Sequence, residues 1–414
     1  MKKENKLFYG WIIVLGCVLL TMTLVPPIMS LSNKYLLYVT ADLGVSRSQF
    51  TLTNTIVQSM GIFFSPFVAK NLAKGNMKKI QVLSIIGFCA GYFGYSFATS
   101  VWHMYVLAFL VGFCWLNCAL MPVSMMVTNW FNKQRGLAMS IAMAGIGAGG
   151  TIFSPIVTTL LETYGWRMTY RIMAVIVLAV SLPTALFIMK KKPEDMGLVA
   201  LGANETPAAA AKVEAPSKKL TITVKQSTTK LFFWLILLGI FCNSIINSGA
   251  LGQFPPAIQE MHGPAMQAAI ISLYSLVGIF GKLALGWIND RFGVIVSSIY
   301  GCTCFILSFV LMLLAENVGV LYAMAVFFGL GNAIGTVSPP LITTEVYGKE
   351  NYAEAYGIIN AVSQVGLALG SLMVASIYDA SGSYTIAWIV LAVASAATMV
   401  GWVGSALLSR KYKA

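Results

Sequence analysis

The chain has 414 residues, of which 58% are hydrophobic and 10% charged, with a mean hydropathy of +0.79. That composition excludes a soluble protein folded round one core and points to a membrane protein. The formal net charge of +13 comes from 27 Lys and Arg against 14 Asp and Glu.

From the N-terminus, "MKKENKLFYG" leads into an apolar run that is too long for a signal peptide and lacks an A-x-A site, so it reads as an uncleaved first span. Twelve apolar stretches follow one another near 11–40, 50–69, 80–99, 103–129, 137–160, 170–189, 231–252, 266–288, 294–315, 319–343, 354–377 and 385–408. At about 1.5 Å rise per residue each can cross a hydrocarbon layer of about 30 Å. None shows the alternation of a membrane barrel, so the expected class is all-α and polytopic.

Adding 217 to a first-half position repeatedly meets its counterpart: Gly112 and Gly329, Pro122 and Pro339, Ala138 and Ala355, Ile141 and Ile358, Gly165 and Gly382. One constant offset predicts a duplicated six-helix unit, giving two pseudo-symmetric bundles over 1–189 and 231–414. Between them, 190–230 loses hydrophobicity and fills with Lys, Ala, Pro and Thr, the composition of a cytoplasmic linker. With the N-terminus inside, 22 of the 27 basic residues fall at cytoplasmic positions and only Arg47, Arg167 and Arg171 fall outside. That asymmetry accounts for the basic charge with no nucleic-acid partner.

All seven cysteines lie in apolar segments and imply no disulfide framework; Cys114 and Cys118 share a helix face, but His103 and His262 are remote, so no metal or cofactor is expected. There is no Walker A loop, His-Glu metal motif or nucleophile elbow, and the chain is not expected to be an enzyme.

The remaining two cations, Lys34 and Lys282, fall inside spans. In "GIFGKLALGWINDRFG", Lys282 precedes Asp290 by eight residues, about 12 Å along a helix. A lysine side chain covers about half that depth, so snorkelling would be strained. Lys34, eight residues before Asp42 in a long first span, has two readings, substrate contact and snorkelling. A lysine at mid-membrane costs about 2.5–3.5 kcal/mol and marks function, with a partner to be named. No carboxylate stands in the middle of a span, which leaves an anionic substrate as the counter-ion. Gln58, Asn247 and Gln364 belong to i,i+4 polar pairs with Asn54, Asn243 and Asn360; Tyr274 shares the helix face of Lys282, and Asn332 lies in the tenth stretch. For each of these, interhelical hydrogen bonding is the competing role. Pro26-Pro27, Gly249 to Pro256 and Pro339-Pro340 are expected to break helices. Two other functions fit the same architecture: export of neutral or aromatic metabolites or drugs, suggested by 12% aromatic residues, and a sensor that binds an anion without moving it.

"GWINDRFG" resembles the cytoplasmic signature of the major facilitator superfamily. "FYGW", "NWFNKQRGLAMSIAMAGIGAGG", "YGWRMTYR" and "KKPEDMGL" are similar to the bacterial oxalate:formate antiporter and monocarboxylate transporter group. The resemblance implies twelve helices with both termini cytoplasmic, in the cytoplasmic membrane of a bacterium. It further implies a monomer that carries small monocarboxylates or related organic anions by alternating access, through proton symport or anion exchange. Lys282 takes the place of the eighth-helix cation, and Gly286, Asp290, Arg291 and Gly293 that of the gating motif. Four departures stand out. Lys282 replaces the usual Arg, a flat bidentate clamp, with a point charge. Ala73 and Asn76 stand where the first-half motif has Asp and Gly. Ser363 and Gln364 stand where oxalate carriers have a lysine, and Gly278 where animal-type proton-coupled relatives have an aspartate.

Overall fold

The computed structural model describes residues 8–45, 47–203 and 222–413. The middle of the expected linker, 204–221, and the three lysines of the N-terminal tail lie outside the described residues. The chain divides into two compact units, Met1–Glu205 and Thr206–Ala414. Both are helical, and an isolated β-bridge joins Phe131 to Leu201.

The first unit runs α1 (Tyr9–Leu24), α2 (Pro26–Met29), a 3-10 turn (Ser32–Tyr35), α3 (Leu36–Leu43), α4 (Arg47–Lys74), α5 (Met77–Gly94), α6 (Val101–Cys118), α7 (Leu120–Trp130) and α8 (Arg135–Pro183). The second runs α9 (Val224–Ser227), α10 (Leu231–Met312), α11 (Val318–Asn332), α12 (Ile334–Tyr347), α13 (Tyr352–Ser381) and α14 (Thr385–Ser409). Nine helical stretches among the described residues are long and apolar enough to cross a membrane. Two of the nine, 54 and 44 residues long, are far beyond the ~20 residues one crossing needs.

The very long helices are bent by glycine. Gly165 interrupts α8 at φ 72°, ψ 173°, and Gly263 and Gly293 interrupt α10 at φ 79° and 84°. Backbone in that region is essentially reserved for glycine, because a Cβ would be strained there. Pro255 and Pro256 do not break α10, and Pro339 and Pro340 lie inside α12, so these expected breaks shift. The interruption instead falls at Ala333, just before α12. The first stretch does break at Pro26-Pro27, where α1 ends and α2 begins.

Glycines also set the packing. A Cβ on Gly149 of α8 would lie 2.1 Å from the Met22 carbonyl oxygen of α1, and one on Gly145 would lie 2.3 Å from Thr21 Oγ1. Thr21 donates to the Ala142 carbonyl at 2.7 Å, which adds a polar tie to that contact. The second unit repeats the device, with Gly366 and Gly370 of α13 on the Phe241 and Ile245 carbonyls of α10 at 2.7 and 2.5 Å. Where lipid supplies no hydrophobic drive between helices, close backbone approach through small residues replaces it.

Both ends of the first unit are clasped. At one end Arg167 pairs with Asp42 and donates to the Ala98 carbonyl at 3.1 Å, while Trp166 Nε1 donates to Asp42 at 3.2 Å. Arg171 donates to Ser96 at 3.0 Å, and Tyr35 stacks on Tyr170 at 4.2 Å. "YGWRMTYR" is thus a structural motif, tying the ends of α3 and α5 to α8 just after its bend. At the other end, residues 190–203 form a strap. Trp130 and Asn129 donate to the Lys190 and Lys191 carbonyls, and Leu201 donates to Trp130. The Lys191 ammonium caps the end of α4 through the carbonyls of Ala73 and Gly75. Burial there, and then Lys192, hold the Lys191 ammonium below the ordinary lysine range, with Asp195 opposing.

Two outcomes follow. The Arg167 hydrogen bond holds Asp42 below the usual carboxylate range, with Trp166 adding to it. The pair therefore stabilises the fold above the free-Asp value of about 3.9 and is lost as pH falls through the lower folded value. Asp42→Asn should lower the melting temperature by a few degrees near neutrality, and the difference from wild type should vanish in acid, in thermal unfolding across pH. Gly149→Ala should cost about 1–3 kcal/mol by overpacking against α1. Gly150→Ala, whose Cβ meets nothing nearer than Ser30 Oγ at 3.5 Å, should cost little in the same melting assay.

Candidate functional site

Lys282 lies on the part of α10 between the bends at Gly263 and Gly293. It is 9% exposed, and its ammonium makes no hydrogen bond or ion pair among the described residues. The position follows from its neighbour: a Cβ on Gly281 would lie 2.8 Å from the Gly329 carbonyl oxygen and 2.9 Å from Leu330 Cα. Close backbone contact at Gly281 therefore holds this part of α10, with Lys282 next in sequence, against the second half of α11.

The same helix end gathers other candidates. Tyr274, two turns earlier on α10, is buried with its ring 5.2 Å from Phe328, edge to face, and its hydroxyl is without a partner among the described residues. A Cβ on Gly329 would lie 2.8 Å from the Tyr274 carbonyl oxygen, so Gly329 fixes this crossing as well. Asn332 ends α11 at the break, half-buried, and its side chain makes no hydrogen bond among the described residues. Asn247 donates to the Asn243 carbonyl at 2.7 Å and to Asn243 Oδ1 at 3.2 Å. Its carboxamide lies where a Cβ on Gly335 would be, 2.4 Å from Asn247 Oδ1. A backbone carbonyl only accepts, so the Asn243 carbonyl fixes which end of the Asn247 amide is nitrogen and leaves Oδ1 facing the α12 backbone. Gln364 on α13 is buried, and its Oε1 has no partner; its neighbour Ser363 bonds Ser244 at 2.7 Å, one turn from Asn247.

The second unit thus sets Tyr274 and Gly281, the neighbour of Lys282, against α11, and Asn247 against the start of α12, with Asn332 ending α11 and Gln364 on α13. Lys34 and Gln58 belong to the first unit. Lys34, in the 3-10 turn, donates to Thr158 Oγ1 at 2.7 Å, and Thr158 donates to the Ser154 carbonyl at 3.0 Å. Among the described residues its charge has a hydroxyl for company and no carboxylate. Gln58 is half-buried and without a side-chain partner among the described residues, one turn beyond Asn54, which donates to Ser32 at 3.3 Å.

In the expected gating stretch, Gly293 makes the bend and Arg291 lies over the Trp287 and Phe292 rings at 5.4 and 5.6 Å. Asp290 is half-buried. The residue that staples the turn is Asn289, buried at 3% exposure, whose Oδ1 accepts from Ser297 at 3.2 Å. In the first unit Asn76 performs the turn differently, capping α5 by accepting the Lys79 N–H at 3.1 Å. None of Asn289, Gly281, Gly329 and Gly335 carries a charge; Asn289 lies within "GWINDRFG" and Gly329 is the repeat counterpart of Gly112, while Gly281 and Gly335 show only as small residues within apolar runs.

The family model of the Major Facilitator Superfamily matches residues 8–371 and again 236–414. The chain belongs to the major facilitator superfamily. It is 24% identical over 405 residues to monocarboxylate transporter 12 of Mus musculus, covering 92% of this chain and 82% of that protein. It is also 24% identical over 305 residues to monocarboxylate transporter 13 of Bos taurus, covering 71% and 66%. The fold matches that of the superfamily transporter FucP in the outward conformation, with TM-score 0.72, 13% identity and coverage of 95% and 98%. The proton:xylose symporter XylE bound to 6-bromo-6-deoxy-D-glucose matches with TM-score 0.64, 13% identity and coverage of 98% and 95%. The chain is therefore a multi-pass membrane transporter. These two relatives are animal proteins, so the bacterial membrane implied by its motifs gains no support from them.

An unpaired buried ammonium costs stability, and an apolar side chain of similar length does not. Lys282→Met should therefore raise thermal stability in detergent by about 1–3 kcal/mol. An unchanged or lower melting temperature would show that the charge is satisfied within the protein.

Proposed function

We propose that this transporter carries small monocarboxylates or related organic anions, with the substrate carboxylate as the partner of Lys282. The observation that carries the reading is that Lys282 is nine-tenths buried in a span and has no hydrogen bond or counter-ion among the described residues. An ammonium in low dielectric is held at a cost unless an anion neutralises it, and the substrate supplies that anion on arrival. Tyr274, Asn247, Asn332 and Gln364 complete the polar surface in the second unit, and Lys34 and Gln58 are the corresponding groups of the first. The names of the relatives, monocarboxylate transporters, support the substrate class.

The reading includes twelve crossings. Nine apolar stretches, two of them bent by glycine into double crossings, together with the 28-residue α4, support that number. Two six-helix bundles over 1–189 and 231–414, joined through 190–230, then place both termini and most basic residues on the cytoplasmic side. The chain works by alternating access as a monomer, driven by proton symport or anion exchange. Ser363 and Gln364, where oxalate carriers have a second lysine, favour substrates with one carboxylate over two, and the Asp290-Arg291 turn with Gly286 and Gly293 serves the gate.

Counterflow of labelled lactate, formate and oxalate in proteoliposomes tests this. Wild type should exchange at least one monocarboxylate, Lys282→Ala should lose at least tenfold, and Lys282→Arg should keep part of the activity. Collapse of uptake by a proton ionophore, with counterflow retained, would assign proton symport. Unchanged carboxylate flux in Lys282→Ala would refute the site, and transport confined to neutral aromatic compounds would refute the substrate class.

A further inference from the structure

The basic end of the first unit combines features that substrate transport does not use. Lys70 and Lys74 lie on the last turns of α4, Lys78 and Lys79 on the first turn of α5, and Lys190 and Lys192 on the strap. The Lys191 ammonium brings these segments together, since it caps Ala73 and Gly75 at the α4–α5 turn. The side chains of Lys70, Lys74, Lys78, Lys79 and Lys190 make no ion pair or hydrogen bond among the described residues. The acids of the strap are Glu194 and Asp195, and Asp195 is engaged by the Lys192 N–H at 3.2 Å.

The strap also carries an apolar row. Met196, Leu198 and Val199 are 41, 38 and 51% exposed. They stand exposed on a backbone that is pinned on both sides. Before them Asn129 and Trp130 hold the Lys191 and Lys190 carbonyls, and after them Leu201 donates to the Trp130 carbonyl and accepts from Asn132 and Lys133. A fixed irregular segment at the end of membrane helices, apolar on its open side and flanked by unpaired lysines, has the chemistry of the headgroup layer, where anionic phosphate and the first acyl carbons meet.

We infer that this end of the first unit is a binding site for an anionic phospholipid, whose phosphate lies among Lys78, Lys79 and Lys190 and whose glycerol and upper acyl carbons cover Met196, Leu198 and Val199. Charge complementarity selects the headgroup, and the pinned row selects a lipid over a free anion. The site is independent of the substrate reading and rests on the proposed topology only for its side of the membrane.

Purified protein in neutral detergent, titrated with phosphatidylglycerol or phosphatidylcholine and read by native mass spectrometry and thermal unfolding, tests the inference. Phosphatidylglycerol should bind and raise the melting temperature, and phosphatidylcholine should not. A surface lysine contributes roughly fivefold to such binding, so Lys78→Gln with Lys190→Gln should weaken it about twenty-five-fold. Met196→Ser with Leu198→Ser should weaken it with every charge retained, and the single Lys190→Gln gives its fivefold if the double variant does not fold. Equal binding of both lipids, or unchanged affinity in the variants, would overturn the inference. So would the same shift from inorganic phosphate, which would make it an anion site, or from polyglutamate, which would make it a docking face for acidic protein.

Discussion

The structure depends on helices meeting backbone to backbone at glycine. In hydrocarbon every peptide group must be satisfied within its own helix, and lipid tails give apolar side chains no preference for one another. Gly145 and Gly149 against α1, Gly366 and Gly370 against α10, and Gly281 against Gly329 supply the contact that remains, dispersion between closely opposed backbones. The last of these also builds the site. It sets Gly281, the residue before Lys282, on α11 at Gly329, one helical turn before Ala333; Asn332 ends that helix and Gly335 makes room for Asn247.

The polar residues divide by what they accomplish. Those at helix ends are paired and hold the bundle: Asp42 with Arg167 and Trp166, Lys191 with the α4 carbonyls, and Lys413 with Glu345 at the end of α12. The two units carry related clasps with different chemistry. Trp130 in the first unit donates to the Lys190 carbonyl, and Tyr347, at the same repeat position in the second, meets Ser227 at 3.3 Å. Where the first unit lacks the acidic residue of the signature, at Ala73, a lysine from the strap takes the helix end instead. Lys282, Tyr274 and Asn332 differ from all of these, because their side-chain polar groups have no partner among the described residues.

Much of this was legible before any coordinates. The hydropathy marked the helices, and the constant repeat offset predicted two related halves. The charge census isolated Lys34 and Lys282 because a lysine within a span is rare for a reason of free energy. The proline signals were less faithful: Pro255-Pro256 and Pro339-Pro340 stay within helices, because neighbouring backbone and hydroxyls can satisfy what a proline leaves open. "YGWRMTYR", legible as a family motif, proved to be a clasp, since pattern does not reveal which groups a side chain meets.

The sequence by itself determined the class, the membrane and the helical stretches and singled out Lys34 and Lys282, because each follows from the energy of moving a residue type from water into lipid; the structure buries Lys282 and leaves Lys34 half-buried in the turn beyond the Tyr9–Met29 stretch. Only the tertiary structure decided which cation is satisfied. Lys34 reaches the Thr158 hydroxyl across 124 residues of chain, and Lys282 reaches nothing among the described residues. Pairing depends on how helices cross, and the crossings are set by where bare glycine backbone lets two helices touch.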